Sequence, residues 1–281
     1  MIYQHEIPSK SKLYFGQSAK IKREIESNAA ATLEQLGFTE IVTPFFSYHQ
    51  HESFSDKKGL VRVADEQNHE VTLRADSTVD VVRIVTKRLG RSSENKKWFY
   101  IQPAVSYPTT EQYQIGVEII DGSFTQALQS ATKLLSDIEV DGVLQIANIK
   151  IPKILNEQYG ISLELLQSMH IEKILEYDYE WLVDLVKINK ISDLDNLDSF
   201  PQDIKSELEI LKGAAKEIDY NNIVLSPLFY AKMRYYESLT FRVFDDNALL
   251  ATGGIYSVEG VVASGFAIYT DECIAIKMDK Q

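Results

Sequence analysis

WFYIQPAVSYPTTEQYQIGVEIIDG, residues 98–122, reads as two strands joined by a loop. Trp98 to Val105 is apolar and rich in aromatic and β-branched residues, Tyr107 to Thr110 carries the turn chemistry, and Tyr113 to Ile120 is apolar again. In the second run Gln114, Gly116 and Glu118 alternate with Tyr113, Ile115, Val117 and Ile119. A period of two therefore puts an amide and a carboxylate on one face, beside a glycine with no side chain. A buried polar face needs partners, from the protein or from a ligand. Gln donates and accepts whereas an ionised Glu only accepts, so the pair suits an ammonium or a protonated ring. Taken alone, the stretch favours the plainer reading, an ordinary antiparallel sheet with one wet face.

The surrounding 281 residues have room for a sizeable core, as one large domain or two small ones. Hydrophobic residues at 44% and charged residues at 25% match an ordinary globular protein. No apolar run has membrane-spanning length and MIYQHEIPSKSKLYF has no signal-peptide core, so the expectation is a cytoplasmic protein with no membrane partner. The single Cys273 excludes an internal disulfide framework, reads as a packing residue, and belongs to no Cys/His cluster of zinc spacing; neither metal nor cofactor is expected. A net charge of −12 argues against a broad nucleic-acid surface. The densest basic segment, Lys87-Arg88 through Lys96-Lys97, reads as a helix end and loop.

Upstream, Ile21, Ile25, Ala29, Leu33 and Leu36 recur at helical spacing, predicting a helix over 18–36 with Ser18 as N-cap and Gly37 at the stop. Phe38 to Phe46 then predicts a strand broken by Pro44, which places it at an edge or interface. His49, His51 and His69 fall in a polar stretch without metal-ligand spacing and read as loop residues. Val61–Val63 and Val71–Leu73 predict a hairpin across Ala64 to Glu70. Asp76 or Ser77 can cap a helix whose apolar face is Val79, Val82, Ile84, Val85 and Leu89, which leaves Arg74 and Asp76 at a strand-to-helix junction.

Beyond Gly122 the pattern turns helical over 123–138, strand-like over 139–150, and mostly helical over 153–218, with breaks expected at Gly160, Ser192–Asp198, Pro201 and Gly213. No catalytic constellation falls there. From Asn221 strands return: Tyr235 to Phe244, then Ala248 to Leu250 after a turn at Asp245-Asp246-Asn247. Gly253-Gly254 and Gly265 suggest close backbone approach, and a last helix is expected from about Thr270.

These segments, in this order, resemble the catalytic domain of class II aminoacyl-tRNA synthetases, in the histidyl branch. Residues 18–46 are similar to motif 1, a long helix and a strand ending in proline. LRADST, Leu73 to Thr78, resembles the LRPE-x-T element, and residues 98–122 resemble the motif 2 hairpin with its QxGxE run. RYYESLTF resembles the end of RGLDYYTG, and TGGIYS with SGFAIYTDEC resembles GGRYD and motif 3. The resemblance implies an α+β fold with an antiparallel sheet flanked by helices. It assigns 1–122 and 221–281 to a catalytic-type domain and 123–220 to a mostly helical insertion.

The departures are as informative. Class II synthetases hold nucleotide phosphates with arginines, because a guanidinium pairs bidentately and keeps its charge. Here the corresponding positions are Ser106, Ala231, Ile255 and Glu272, and the motif 2 glutamate falls on Pro108. Four such losses leave no evident means of stabilising a pentavalent phosphorus, and with the sequence ending at residue 281 no anticodon-binding domain is expected. The amino-acid side of the pocket is retained at the matching positions: Asp76 and Thr78, Gln114 and Glu118, Tyr235 and Tyr236, and Tyr256. Carboxylates suit an ammonium, and aromatic rings with hydroxyls can bracket an imidazole.

A synthetase-like domain without phosphate-binding arginines or an anticodon domain resembles the regulatory subunits of ATP phosphoribosyltransferase. That resemblance implies a non-catalytic, allosteric role in histidine biosynthesis, a homodimeric core within a hetero-oligomer, a short-form catalytic subunit as partner, and L-histidine as feedback effector. Three other readings compete. A stand-alone paralogue that activates an amino acid without charging tRNA would need an ATP site, a structural dimerisation module would have a decayed pocket, and a nucleic-acid module would bind in a salt-dependent way.

Overall fold

A computed structural model describes residues 6–48, 57–90, 93–230 and 236–280. His49, His51, Ala231 and Tyr235 lie outside them.

The chain begins its folded part with α1, Gly16–Gln35, whose stripe of Ile21, Ile25, Ala29 and Leu33 is buried. Ser18 is not the N-cap, as the helix starts two residues earlier than expected; its hydroxyl instead accepts the Phe15 N–H at 3.1 Å from the third helical position. Gly37, at φ +81°, ends the helix. Its N–H donates to Glu34 O and that of Phe38 to Leu33 O, both at 3.0 Å, the paired closure that a left-handed residue allows.

Eight strands form the central sheet: β1 Thr39–Glu40, β5 Lys97–Ser106, β6 Thr110–Ile120, β7 Val143–Asn148, β8 Ile223–Leu225, β9 Tyr236–Asp245, β10 Ala248–Val258 and β11 Val261–Tyr269. Their spatial order is β1-β5-β6-β11-β10-β9-β7-β8. The interior pairings are antiparallel, as expected, but β1–β5 and β7–β8 at the two edges are parallel, so the sheet is mixed. A small second sheet joins β2 Phe46–Ser47, β3 Arg62–Ala64 and β4 Glu70–Leu73, the last two as the expected hairpin.

The strand expected over 38–46 is in fact two short pieces, one in each sheet. Pro44 has no N–H for a ladder, and side chains hold the stretch between the pieces. Arg74 Nη1 donates to Thr43 O at 3.0 Å and Pro44 O at 3.3 Å, and its Nε donates to Pro103 O at 3.0 Å. Arg74 thus straps the proline segment to the hairpin of β5 and β6, a structural use of the residue.

One face of the sheet is dry. Ile115, Val117 and Ile119 of β6 and Phe266 and Ile268 of β11 pack against α1, α2 Phe124–Asp137 and the last helix, Thr270–Asp279, with Cys273 buried among them. Within 123–220, α2 and β7 build directly on this sheet, the helix Gln202–Lys216 packs on β7, and the helices from Lys150 to Lys187 pack around it. The helix ends expected at Gly160 and Pro201 are found, whereas Gly213 lies inside Gln202–Lys216. Its Cα faces open space, and the buried stripe Ile204, Leu208, Leu211 and Ala215 runs past it. That burial outweighs the propensity cost of about 1 kcal/mol for a helical glycine.

Candidate functional site

The opposite face of the sheet carries the polar residues, because the period of two that buries Ile115 and Val117 turns Gln114, Gly116 and Glu118 the other way. Register extends the face across four strands. Glu118 lies opposite Gly265, Gly265 opposite Gly254, and Gly254 opposite Thr240. The neighbouring row runs Gly116, Ala267, Thr252, Arg242. The helix Thr78–Arg83 packs over β6, and a cavity of about 680 Å³ remains beside it, within the size range of small-molecule sites. Of the seven residues singled out in the sequence, Asp76, Thr78, Gln114, Glu118, Tyr236 and Tyr256 all line this cavity.

Glu118 is its centre and is 1% exposed. The Tyr256 hydroxyl donates to Oε2, while Oε1 has no hydrogen-bond partner among the described residues. Burial pushes the carboxyl up to about 8, against the opposing pull of the hydroxyls of Tyr256, Thr78 and Tyr100. Around neutrality the empty site therefore favours a protonated Glu118, which a cationic ligand would ionise. Asp76 lies near enough to raise Glu118 further, and its Oδ1 also accepts the Val79 N–H at 3.2 Å, so it is both helix cap and cavity wall.

Two glycines make this geometry possible. A Cβ on Gly116 would overlap the ring and hydroxyl of Tyr100, the fully buried residue facing it on β5. A Cβ on Gly265 would overlap Glu118 Oε2 and Val117 O, which shows that the carboxylate leans across β11. Tyr236 and Tyr256 meet edge to face at 6.5 Å between centroids, and burial raises the pKa of both phenols, keeping them protonated. Tyr269, also on the wall, is pushed up to about 12 by burial. Gln114 lies nearer the mouth, donating to Gln112 Oε1 at 3.0 Å.

Sequence reading missed two residues here. Tyr100 sits in an apolar run and shows its role only through its partner Gly116. Arg242 is the sole Lys, Arg or His among the described residues lining the cavity. Its Nε and Nη2 donate to Gln145 Oε1 at 2.9 and 2.6 Å, and its guanidinium lies 3.8 Å from the centroid of Phe229 and 4.6 Å from that of Phe244. Alternation along β9 puts it on the polar face, which was the available signal. Of the positions where a synthetase has arginines, Ser106 lines the cavity, Ile255 packs on the main core, and Glu272 begins the last helix without lining the cavity.

A larger, more open groove of about 980 Å³ holds none of the candidate residues. Its side chains include five carboxylates, Asp141, Glu217, Asp219, Asp245 and Asp246, against Lys133 alone. Among the described residues no cluster of His, Cys, Asp or Glu is placed to hold a metal, and no helix is long and apolar enough to cross a membrane.

Residues 15–273 match the histidyl-tRNA synthetase family. The chain is 42% identical, over 98% of its length and 96% of the other's, to the ATP phosphoribosyltransferase regulatory subunit of Wolinella succinogenes. Its fold is similar to the crystal structure of an ATP phosphoribosyltransferase regulatory subunit/histidyl-tRNA synthetase from Bacillus halodurans, with a TM-score of 0.83 at 16% identity, covering 98% of this chain and 84% of that one. It is also similar to a chain of an ATP phosphoribosyl transferase complex from Thermotoga maritima, with a TM-score of 0.67 at 16% identity, covering 89% and 97%.

Proposed function

The chain belongs to the histidyl-tRNA synthetase family and, within it, to the ATP phosphoribosyltransferase regulatory subunits, and from that premise we propose that it is the histidine sensor of a separate catalytic subunit. Its role in histidine biosynthesis is regulatory: phosphoribosyl transfer takes place on the catalytic partner. The observation that carries the sensor reading is the buried Glu118, whose Oε1 has no partner among the described residues and lies in a cavity that also presents Asp76 and the hydroxyls of Thr78 and Tyr256. A cationic or hydrogen-bond-donating amino acid satisfies that oxygen, and the rings of Tyr236 and Tyr256 supply aromatic walls for an imidazole. A single guanidinium in the cavity is a poor match for a triphosphate, which supports a pocket that reads the amino acid and not ATP.

Feedback inhibition then follows from linkage. Histidine must bind one state of the hetero-oligomer more tightly than the other, and each tenfold of preference shifts the equilibrium by about 1.4 kcal/mol. A homodimeric core is supported by the apolar residues exposed along the proline segment, Val42 at 76% and Phe46 at 59%. The cytoplasm is the proposed compartment, where the partner's nucleotide substrate is found.

Calorimetric titration of the purified chain with L-histidine and with ATP tests the sensor, alongside activity of the catalytic subunit with and without the chain. The expected result is histidine binding lost in Glu118→Ala, no ATP binding, and histidine inhibition only when the chain is present. Tight ATP binding, or inhibition that survives Glu118→Ala unchanged, would overturn the reading.

A further inference from the structure

Arg242 has no role in the reading above, and its surroundings call for one. It is half-buried between Phe229 and Phe244, and among the described residues it hydrogen-bonds to the neutral amide oxygen of Gln145. No carboxylate pairs with it among the described residues, and desolvation already disfavours its charge. An unmatched guanidinium at the wall of a cavity gains most from an anion.

We propose that Arg242 binds the α-carboxylate of the amino acid whose cationic end is held at Glu118 and Asp76. The assignment rests on the amino-acid reading of the cavity and adds the group that fixes the ligand's polarity. Three observations converge on it. The rings of Phe229 and Phe244 fix the plane of the guanidinium, and Gln145 occupies the Nε edge, so the Nη1–Nη2 end remains for a planar, bidentate acceptor.

The distance is also suitable. Glu118 and Arg242 lie three strands apart on one face, and the Glu118 carboxylate leans over the first of the intervening strands. That leaves two strand spacings across the sheet and one row along it, roughly 12 Å, above a floor of Gly265, Ala267, Gly254 and Thr252. Room remains for a small amino acid with a hydrogen bond at each end. Thr240 Oγ1, buried at the far end of the Glu118 row and without a partner among the described residues, offers a further contact.

The third observation is charge. Apart from phenols, the ionisable side chains lining the cavity are Asp76, Glu118 and Arg242. Two carboxylic groups and one guanidinium are the complement of a molecule with one carboxylate and two basic groups.

The test compares L-histidine with histamine, which lacks only the carboxylate, by calorimetry on the full chain, alone and with the catalytic subunit. The wild type is expected to prefer L-histidine about 10- to 100-fold. Arg242→Gln should weaken L-histidine by a similar factor and leave histamine unchanged, so that the preference disappears; Arg242→Lys should restore part of it. Equal weakening of both ligands would mark Arg242 as a packing residue, and equal wild-type affinity for both would exclude a carboxylate subsite, so either result overturns the assignment. Wild-type protein that binds neither ligand would overturn the amino-acid reading itself, and this proposal with it. The wild-type comparison needs no variant, so the assignment stays testable even if Arg242→Gln fails to fold.

Discussion

Replacing Glu118 by Gln should abolish a pH dependence that the buried carboxyl imposes on the whole fold. In the folded chain this group titrates at about 8 against an ordinary 4.5, chiefly because burial penalises its charge. Between those values the folded state holds a proton that the unfolded state releases. Stability therefore falls as pH rises through that window: Glu118 has no effect below it and its full destabilising effect above it. At about 1.4 kcal/mol per pH unit the plateau is roughly 5 kcal/mol, and between pH 5 and pH 7 the wild type should lose roughly 2–3 kcal/mol relative to Glu118→Gln. Urea unfolding at matched protein concentration, followed by the fluorescence of Trp98 and Trp181 at pH 5, 6, 7 and 8, measures the difference. Saturating L-histidine should flatten the wild-type slope, because a bound cation favours the ionised carboxylate. A difference that stays constant across the window would refute the argument, since it would mean that Glu118 ionises normally inside the fold.

Tyr256→Phe removes the hydroxyl that stabilises the Glu118 carboxylate, so the upper end of that window should move above pH 8 in the same unfolding series. Gly116→Ala forces the Tyr100 ring out of its place, and should cost about 1–3 kcal/mol in denaturant titrations together with most of the histidine affinity. Glu259→Gln removes the shared partner of Arg83 and Lys87 at the surface; its effect should stay below about 1 kcal/mol and shrink with added salt. Phe46→Glu places a charge in the exposed apolar strip beside Val42 and should halve the mass seen by light scattering if that strip joins two copies.

The parts of the fold legible in the sequence are those governed by local period and punctuation. The stripe from Ile21 to Leu33, the left-handed stop at Gly37 and the hairpin of residues 97–120 follow from spacing and turn chemistry alone. What depended on a distant partner was harder to read. Phe38 to Phe46 looks like one strand because its β-branched and aromatic residues are continuous; that it divides between two sheets depends on Arg74 and Gln102, which hold Thr43 from elsewhere in the chain. Gly116 was visible as a glycine, but the reason for it is a tyrosine on the adjoining strand. Arg242 was the least visible. In the run FRVF it reads as an ordinary residue on a wet face, and its setting is made by Gln145, 97 positions away, and by Phe229 in a loop. The candidate site was therefore readable on β6 and at the Asp76 junction and opaque on β9.

The wall of the cavity opposite the strands is made by Leu166, Gln167 and Met169, at the end of the helix Leu163–Ser168, just before the one-turn helix Ile171–Ile174. Helices of six and four residues carry too few internal hydrogen bonds to hold their own position. They are kept in place by packing: Leu166 and Ile174 are fully buried in the main core, while the exposed Gln167 and Met169 carry the chain from it along the cavity. That side of the cavity is thus a short segment anchored in the core at Leu166 and open to solvent at Gln167 and Met169, so a ligand pressing on it would act on the least self-supporting part of the wall.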